Sequence, residues 1–264
     1  MCLRICRRNH PGLSQLRPYR YAHRGLYDLA KGVPENTLPA FRRAVDHGFG
    51  AELDVHLTAD GRLVVIHDSD LTRLCGISRR ADTLTAAEYG KYGILGTDLH
   101  APMLEDILPL FEGKTPLIVE VKTDGANYAA VTEATCQMLD QFHVTYCMES
   151  FDPRVLIWLR KHRPEICRGQ LSCNFAKEPE SPLHPFLRWS MTRLLGNFLT
   201  RPDFIAYKFE DRNSPSLRLC RRRYGVQEVS WTIRSRQDLE AAEADGCIPI
   251  FEGFLPASRK STGP

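Results

Sequence analysis

"GAELDVHLTADGRLVVIHD", residues 50–68, is the stretch on which the fold turns. Gly50 to Leu57 alternates as a strand does, with Ala51, Leu53 and Val55 on one face and Glu52, Asp54 and His56 on the other. "TADG" (58–61) reads as a tight turn, and "RLVVIHD" (62–68) as an apolar return run that ends on His67 and Asp68. Carboxylates and imidazoles on strands otherwise built for a core need either a chemical task or a partner of opposite charge.

Outward from this stretch the pattern repeats. "YRYA" (19–22) is a short β-type run, and "NTLPAFRRAVDHG" (36–48) is a helix with Asn36 or Thr37 as cap, Pro39 in its first turn and Gly48 behind it. Downstream, strands are expected at 116–122, 144–149, 165–171, 203–208, 227–233 and 247–251. Helices are expected at 103–111, 127–142, 153–162, 185–199, 214–224 and 235–246. About eight strands alternating with helices over some 250 residues predict an α/β fold, a (β/α)8 TIM barrel, with a doubly wound sheet as the rival. Residues 69–101 are polar, contain Gly76, Gly90, Gly93 and Gly96, and read as a small insertion after the second strand region. The division expected is an irregular lead-in over 1–18 and a single barrel domain over 19–264.

Composition narrows the class. The 264 residues are 43% hydrophobic and 25% charged, with a formal net charge of +3, ordinary for a soluble globular chain and uninformative about partners. Two basic clusters stand out: Arg4, Arg7, Arg8, Arg17 and Arg20, and Arg218, Arg221, Arg222 and Arg223. Both read as a solvated face or loose tail, with weak attraction to an anionic substrate or membrane as the alternative. No nucleic-acid motif accompanies them. The nine cysteines include no CxxC pair, and Cys2 and Cys6 lack a second pair to complete a zinc site. No apolar signal region or membrane-length apolar run is found, so a reducing cytoplasm is the expected compartment.

In a parallel barrel the strand C-termini carry chemistry. His23 and Arg24 follow the first strand, Glu52 and Asp54 lie late in the second, His67 follows the return run, and Glu120 and Lys122 close "VEVK". Glu52 and Asp54 share a face at ~7 Å along the strand. Together with Glu120 they make a three-carboxylate set that suits Mg²⁺ or Ca²⁺. A structural ion network with Arg24 and Lys122, or plain solvent exposure, fits the same spacing. His23 and His67 each end an apolar run beside a charged neighbour, and two such imidazoles beside a metal would serve as general base and general acid. Arg24 and Lys122 would meet an anionic group, most naturally a phosphate. His56 shares the acidic face but lies near the turn, and reads as a supporting or exposed residue. His47 ends a helix, where an imidazolium meets the dipole; His10, His100, His143, His162 and His184 fall in loops or helix ends.

"AHRG", "PENTLPAF", "ELDVHLTADG", "VVIHD", "VEVK", "SFD" and "SWTI" follow in order from about Tyr21 to Trp231, and this series resembles the glycerophosphodiester phosphodiesterase family. The resemblance implies a (β/α)8 barrel that hydrolyses phosphodiesters with a divalent cation. By motif position it implies His23 and His67 as the acid/base pair, and Glu52, Asp54 and Glu120 as metal ligands. Arg24 and Lys122 would be phosphate contacts, Asn36 a positioning residue, and Trp231 an apolar wall at the glycerol end. The expected reaction releases sn-glycerol 3-phosphate and an alcohol from a small glycerophosphodiester such as glycerophosphocholine. A lysophospholipase D-like activity on lysophospholipids and a non-catalytic phosphate-binding barrel are the alternatives. No strongly amphipathic insertion helix is found to favour the lipid substrate. The chain departs from the family pattern at "GCIPIFEGFLP" (246–256), where Pro249 should shorten or distort the last strand. It departs again at Arg234, in a place usually held by asparagine. Both departures are expected to bear on barrel closure and the substrate end, not on the metal or acid/base set.

Overall fold

The computed structural model describes residues 10–178 and 184–257, so Cys2, Arg4, Cys6, Arg7 and Arg8 lie outside the described residues. Among the described residues nine strands form: β1 (Tyr21–Ala22), β2 (Gly50–Leu57), β3 (Leu63–Val65), β4 (Leu117–Val121), β5 (Tyr146–Ser150), β6 (Arg168–Ser172), β7 (Phe204–Lys208), β8 (Gln227–Ile233) and β9 (Ile248–Phe251). All but β3 pair in parallel. β1 joins β2 on one side and β9 on the other, so the sheet closes into an eight-stranded barrel and the open doubly wound sheet is excluded. β3 is antiparallel to β2 and stands outside the ring as a hairpin arm, set by the "TADG" turn.

The helices are α1 (Gly12–Leu16), α2 (Leu38–Asp46), α3 (Thr72–Cys75), α4 (Ala86–Tyr89), α5 (Leu104–Phe111), α6 (Tyr128–Leu139), α7 (Pro153–His162), α8 (Pro185–Thr192), α9 (Asn197–Thr200), α10 (Pro215–Tyr224) and α11 (Arg236–Ala244). The period-2 pattern sorts the strand side chains into two cores. Ala51, Leu53 and Val55 of β2 pack with Leu117, Val119 and Val121 of β4 against the helices, in a core that includes Phe41, Ile107 and Leu156. Ile118, Cys147, Leu171, Phe204, Val229 and Ile250 fill the barrel interior with Tyr21. That interior is tight: a Cβ on Gly169 would fall 2.0 Å from the Phe204 ring, so only glycine fits there.

Three expectations need correction or refinement. The lead-in is not irregular throughout, because α1 folds within it and places buried Leu13 and Leu16 in the interior cluster, at the N-terminal end of the barrel. The helix expected over 185–199 is two helices, α8 and α9, separated by a turn at 193–196. The insertion, polar in composition, still builds a satellite core, with Leu71, Leu74, Leu84, Tyr89 and Ile94 buried against Val64 and Ile66. β9 is short, as Pro249 requires, and a register irregularity separates Ser230 from Ile233 where β8 meets it, yet the barrel closes.

Candidate active site

The acids of β2 face inward because their neighbours face the helices. Register then carries the pattern sideways, for Asp54 lies beside Glu120 on β4, and Glu120 beside Glu149 on β5. Glu52, Asp54 and Glu120 are buried, and each brings a carboxylate oxygen within 4.8 Å of the others. Two cations enter this layer. Lys122 Nζ lies 2.7 Å from Glu120 and 3.0 Å from Asp54, and Arg24 Nε lies 3.6 Å from Asp54 Oδ2. The ion network weighed from sequence is therefore present, but it is unevenly shared. Burial raises Asp54's proton affinity, but Lys122, His67 and Arg24 outweigh it and hold this carboxylate well below its ordinary range. Burial, with Asp54 and Glu120 adding repulsion, pushes Glu52 well above it. Glu120 is pushed up to about 7, by burial and Asp54 against the pull of Lys122. A three-oxygen set with a carboxylate that its own cations leave short of positive charge fits a hard divalent cation.

The turn after β1 positions the rest. Arg24 has φ 54° and Asn36 φ 53°, both left-handed, and the Asn36 N–H donates to the Arg24 carbonyl at 2.8 Å. Gly25 has φ +80°, and a Cβ there would fall 2.9 Å from the Ala40 backbone, so "HRG" needs its glycine to bring α2 against the turn. The Arg24 backbone N–H donates to Glu52 Oε2 at 3.0 Å, its guanidinium to Glu35 at 2.7 Å, and Asn36 Nδ2 to Asp54 Oδ2 at 2.9 Å.

Each of the two expected imidazoles is tied to a carboxylate through Nδ1. His23 Nδ1 lies 2.5 Å from Glu252 Oε2, and its Nε2 points toward Glu52 at 3.9 Å. His67 Nδ1 lies 2.7 Å from Asp68, which Arg73 holds at 2.6 Å while also bonding Glu35 at 2.8 Å. A carboxylate at Nδ1 keeps the proton on that nitrogen and leaves Nε2 with the lone pair. Burial keeps both histidines below their ordinary range; the Glu252 bond opposes it at His23, and Lys122 adds to it at His67. Burial works against Glu252's charge, but His23, Arg234 and Tyr27 bring that carboxyl down to about 2.

His56 is fully buried, so the exposed reading is excluded. Its Nδ1 meets Asp124 at 3.1 Å and its Nε2 meets the His67 carbonyl at 3.2 Å, bracing the backbone that carries His67. Trp231 lines the pocket and meets Phe151 edge-on at 5.8 Å, with Phe175 beyond. The pocket is about 390 Å³ and joins His23, Arg24, Glu52, His67 and Glu120 to this aromatic wall.

Sequence reading missed three groups and gave a fourth a different place. Glu252 ends an apolar run just as Glu120 does, and the same rule would have found it. Arg234, expected to bear on barrel closure and the substrate end, binds Glu252 at 2.7 Å and so reaches His23. Glu35, inside "PENT", links Arg24 to Arg73. Glu149 is buried on the pocket floor, its Oε2 has no hydrogen-bond partner among the described residues, and burial beside Glu120 keeps its proton bound well above the ordinary range.

The structure is a closed parallel barrel of the TIM class, with two carboxylate-tethered imidazoles beside a cluster of acids. Residues 23–252 match the sequence model of the glycerophosphoryl diester phosphodiesterase family, and the chain belongs to that family and with it to the phosphoric diester hydrolases. It is 30% identical over 240 residues to a glycerophosphodiester phosphodiesterase of Caldanaerobacter subterraneus subsp. tengcongensis, covering 86% of this chain and 91% of that one. Solved structures share the fold, among them two phosphodiesterases. One is the Thermotoga maritima glycerophosphodiester phosphodiesterase, with TM-score 0.65, 21% identity and 89% and 94% of the two chains covered. The other is an Oleispira antarctica phosphodiesterase in complex with sn-glycerol-3-phosphate, with TM-score 0.71, 19% identity and 91% and 94% covered.

Proposed function

We propose that the chain hydrolyses glycerophosphodiesters to sn-glycerol 3-phosphate and an alcohol, with His23 and His67 moving the protons and Glu52, Asp54 and Glu120 holding a divalent cation, Mg²⁺ or Ca²⁺. The observation that carries this reading is the paired tethering of His23 to Glu252 and His67 to Asp68, beside one three-carboxylate cluster in one pocket. One imidazole Nε2 takes the proton of the nucleophile, either water or the substrate's own glycerol hydroxyl, which would form a cyclic phosphate that water then opens. The other imidazole, protonated, gives a proton to the alkoxide as its bond to phosphorus breaks. Arg24 and Lys122 balance the anionic phosphate, Asn36 fixes Asp54, and Trp231 walls the glycerol end. The bound cation would supply charge neutralisation at a non-bridging phosphate oxygen.

The family match and the Oleispira relative bound to sn-glycerol-3-phosphate support this substrate class. Among the described residues no helix is long and apolar enough to cross a membrane. The test is turnover of glycerophosphocholine with and without EDTA, with Mg²⁺, Ca²⁺ and Mn²⁺ restored in parallel. His23→Ala and His67→Ala should each lose at least ~10²-fold in rate. Full activity in chelator would remove the metal assignment, and wild-type rates in both variants would remove the proton-transfer assignment. A lysophospholipid assayed alongside separates the lipid substrate from the soluble one.

A further inference from the structure

We propose that α8 and α9 form a docking surface for an anionic lipid bilayer beside the barrel mouth. Of the nine exposed large apolar side chains among the described residues, six lie on these helices and the turn between them: Phe186, Leu187, Trp189, Leu195, Phe198 and Leu199. Phe186 is 64% exposed and Trp189 47%, and their rings stack on each other at 5.9 Å, apolar surface that the barrel does not cover. Isolated exposed leucines need no explanation, but six large apolar groups within fourteen residues do.

The charges around them select the occupant. Arg188, Arg193 and Arg201 interleave with the apolar groups, and no Asp or Glu occurs between Ser181 and Pro202. The Arg193 guanidinium lies over the Trp189 ring at 4.9 Å, an aromatic and cationic pair suited to the headgroup level of a bilayer. The neighbouring acids are already occupied: Asp211 by Lys177 at 2.5 Å, Glu178 by Lys208 at 2.6 Å and Glu210 by Arg234 at 3.2 Å. A second copy docked on the same face through a twofold axis would set these arginines against their own counterparts with no acid from the segment between them. An anionic lipid surface accepts both the rings and the arginines.

Position links the surface to the pocket. The Arg188 guanidinium donates to the carbonyls of Phe175 and Glu178, and both residues line the pocket that holds His23 and His67. The Phe175 N–H donates to Thr192 Oγ1 at 3.1 Å, so α8 is fastened to the pocket wall rather than hanging from it.

Sedimentation of the full chain with vesicles of phosphatidylcholine alone, or of phosphatidylcholine with phosphatidylglycerol, tests the proposal. Partition is expected only onto the phosphatidylglycerol vesicles, and it should weaken as salt screens the arginines. Phe186→Ser combined with Trp189→Ser should reduce it by about tenfold or more, with glycerophosphocholine turnover unchanged. Leu187→Ser with Phe198→Ser should reproduce the loss, which guards against a folding defect in the first pair. Partition equal on neutral vesicles, no partition at all, or no loss in both double variants would overturn the proposal. So would light scattering that shows a wild-type dimer made monomeric by the Phe186/Trp189 change, since a second copy would then cover the surface. Failure to turn over glycerophosphocholine in the wild type would count against the catalytic reading and leave the docking result standing.

Discussion

Glu252→Gln removes one charge and keeps the shape. In the native chain this carboxylate accepts from His23 Nδ1 at 2.5 Å, from the Tyr27 hydroxyl at 3.1 Å and from Arg234 at 2.7 Å. The amide can still face the imidazole, but its NH₂ is a donor, and an imidazole that accepts at Nδ1 must carry its proton on Nε2, the wrong nitrogen for a base. A hydrogen bond to an ionised partner is worth about 1.5–3 kcal/mol. At about 1.4 kcal/mol per tenfold, kcat should fall by about 10- to 10²-fold, while KM for glycerophosphocholine holds. The pH–rate profile gives a second readout. Glu252 is the main group that raises the His23 pKa against burial, so without its charge only the weaker pull of Asp54 remains and the limb belonging to His23 moves to lower pH. Glu252 itself titrates near 2, so no limb of the native profile above about pH 4 belongs to it. An unchanged kcat together with an unmoved limb would refute the tethering argument.

Two further outcomes follow from the same geometry. In metal-free protein the folded Glu120 keeps its proton up to about 7, whereas the unfolded group releases it in the ordinary carboxylate range. Over that window the folded state binds more protons, so this group's contribution to stability falls as pH rises; denaturation of wild type and Glu120→Gln in EDTA at pH 5 and pH 8 should show the variant gaining relative to wild type at pH 8, and an equal gap at both pH values would contradict it. His56→Ala removes the group that meets the His67 carbonyl, and kcat should drop by about tenfold or more with cation affinity, read by calorimetry, unchanged.

Some of the site was legible residue by residue. His23, Glu52, Asp54, His67 and Glu120 are polar side chains in otherwise apolar strand runs; the structure brings His23, Glu52, His67 and Glu120 to one pocket with Arg24, and sets Asp54 beside Glu120 with Asn36 and Lys122 bonded to it. Glu252 escaped because "GCIPIFEGFLP" reads as a departure from a family pattern rather than as one more strand end, and Arg234 reads as a second departure rather than as a partner for Glu252. The surface on α8 and α9 escaped for another reason. The run 185–199 reads as one helix, but it is two with a turn at 193–196, and α8 buries none of its residues.

By itself the sequence determined what depends on local period and on residue type. The alternation in β2 set which side chains share a face, the "TADG" turn returned β3, and the strand–helix repeat called for a parallel sheet. Closure lay beyond it, because whether β1 meets β9 depends on the summed twist and stagger of eight strands and on no single segment. The division of charge lay beyond it too. Asp54, held low by Lys122, and Glu52, two residues away and pushed high, have the same local pattern; they part because a carboxyl's proton affinity follows its burial and the charges that other strands bring to it.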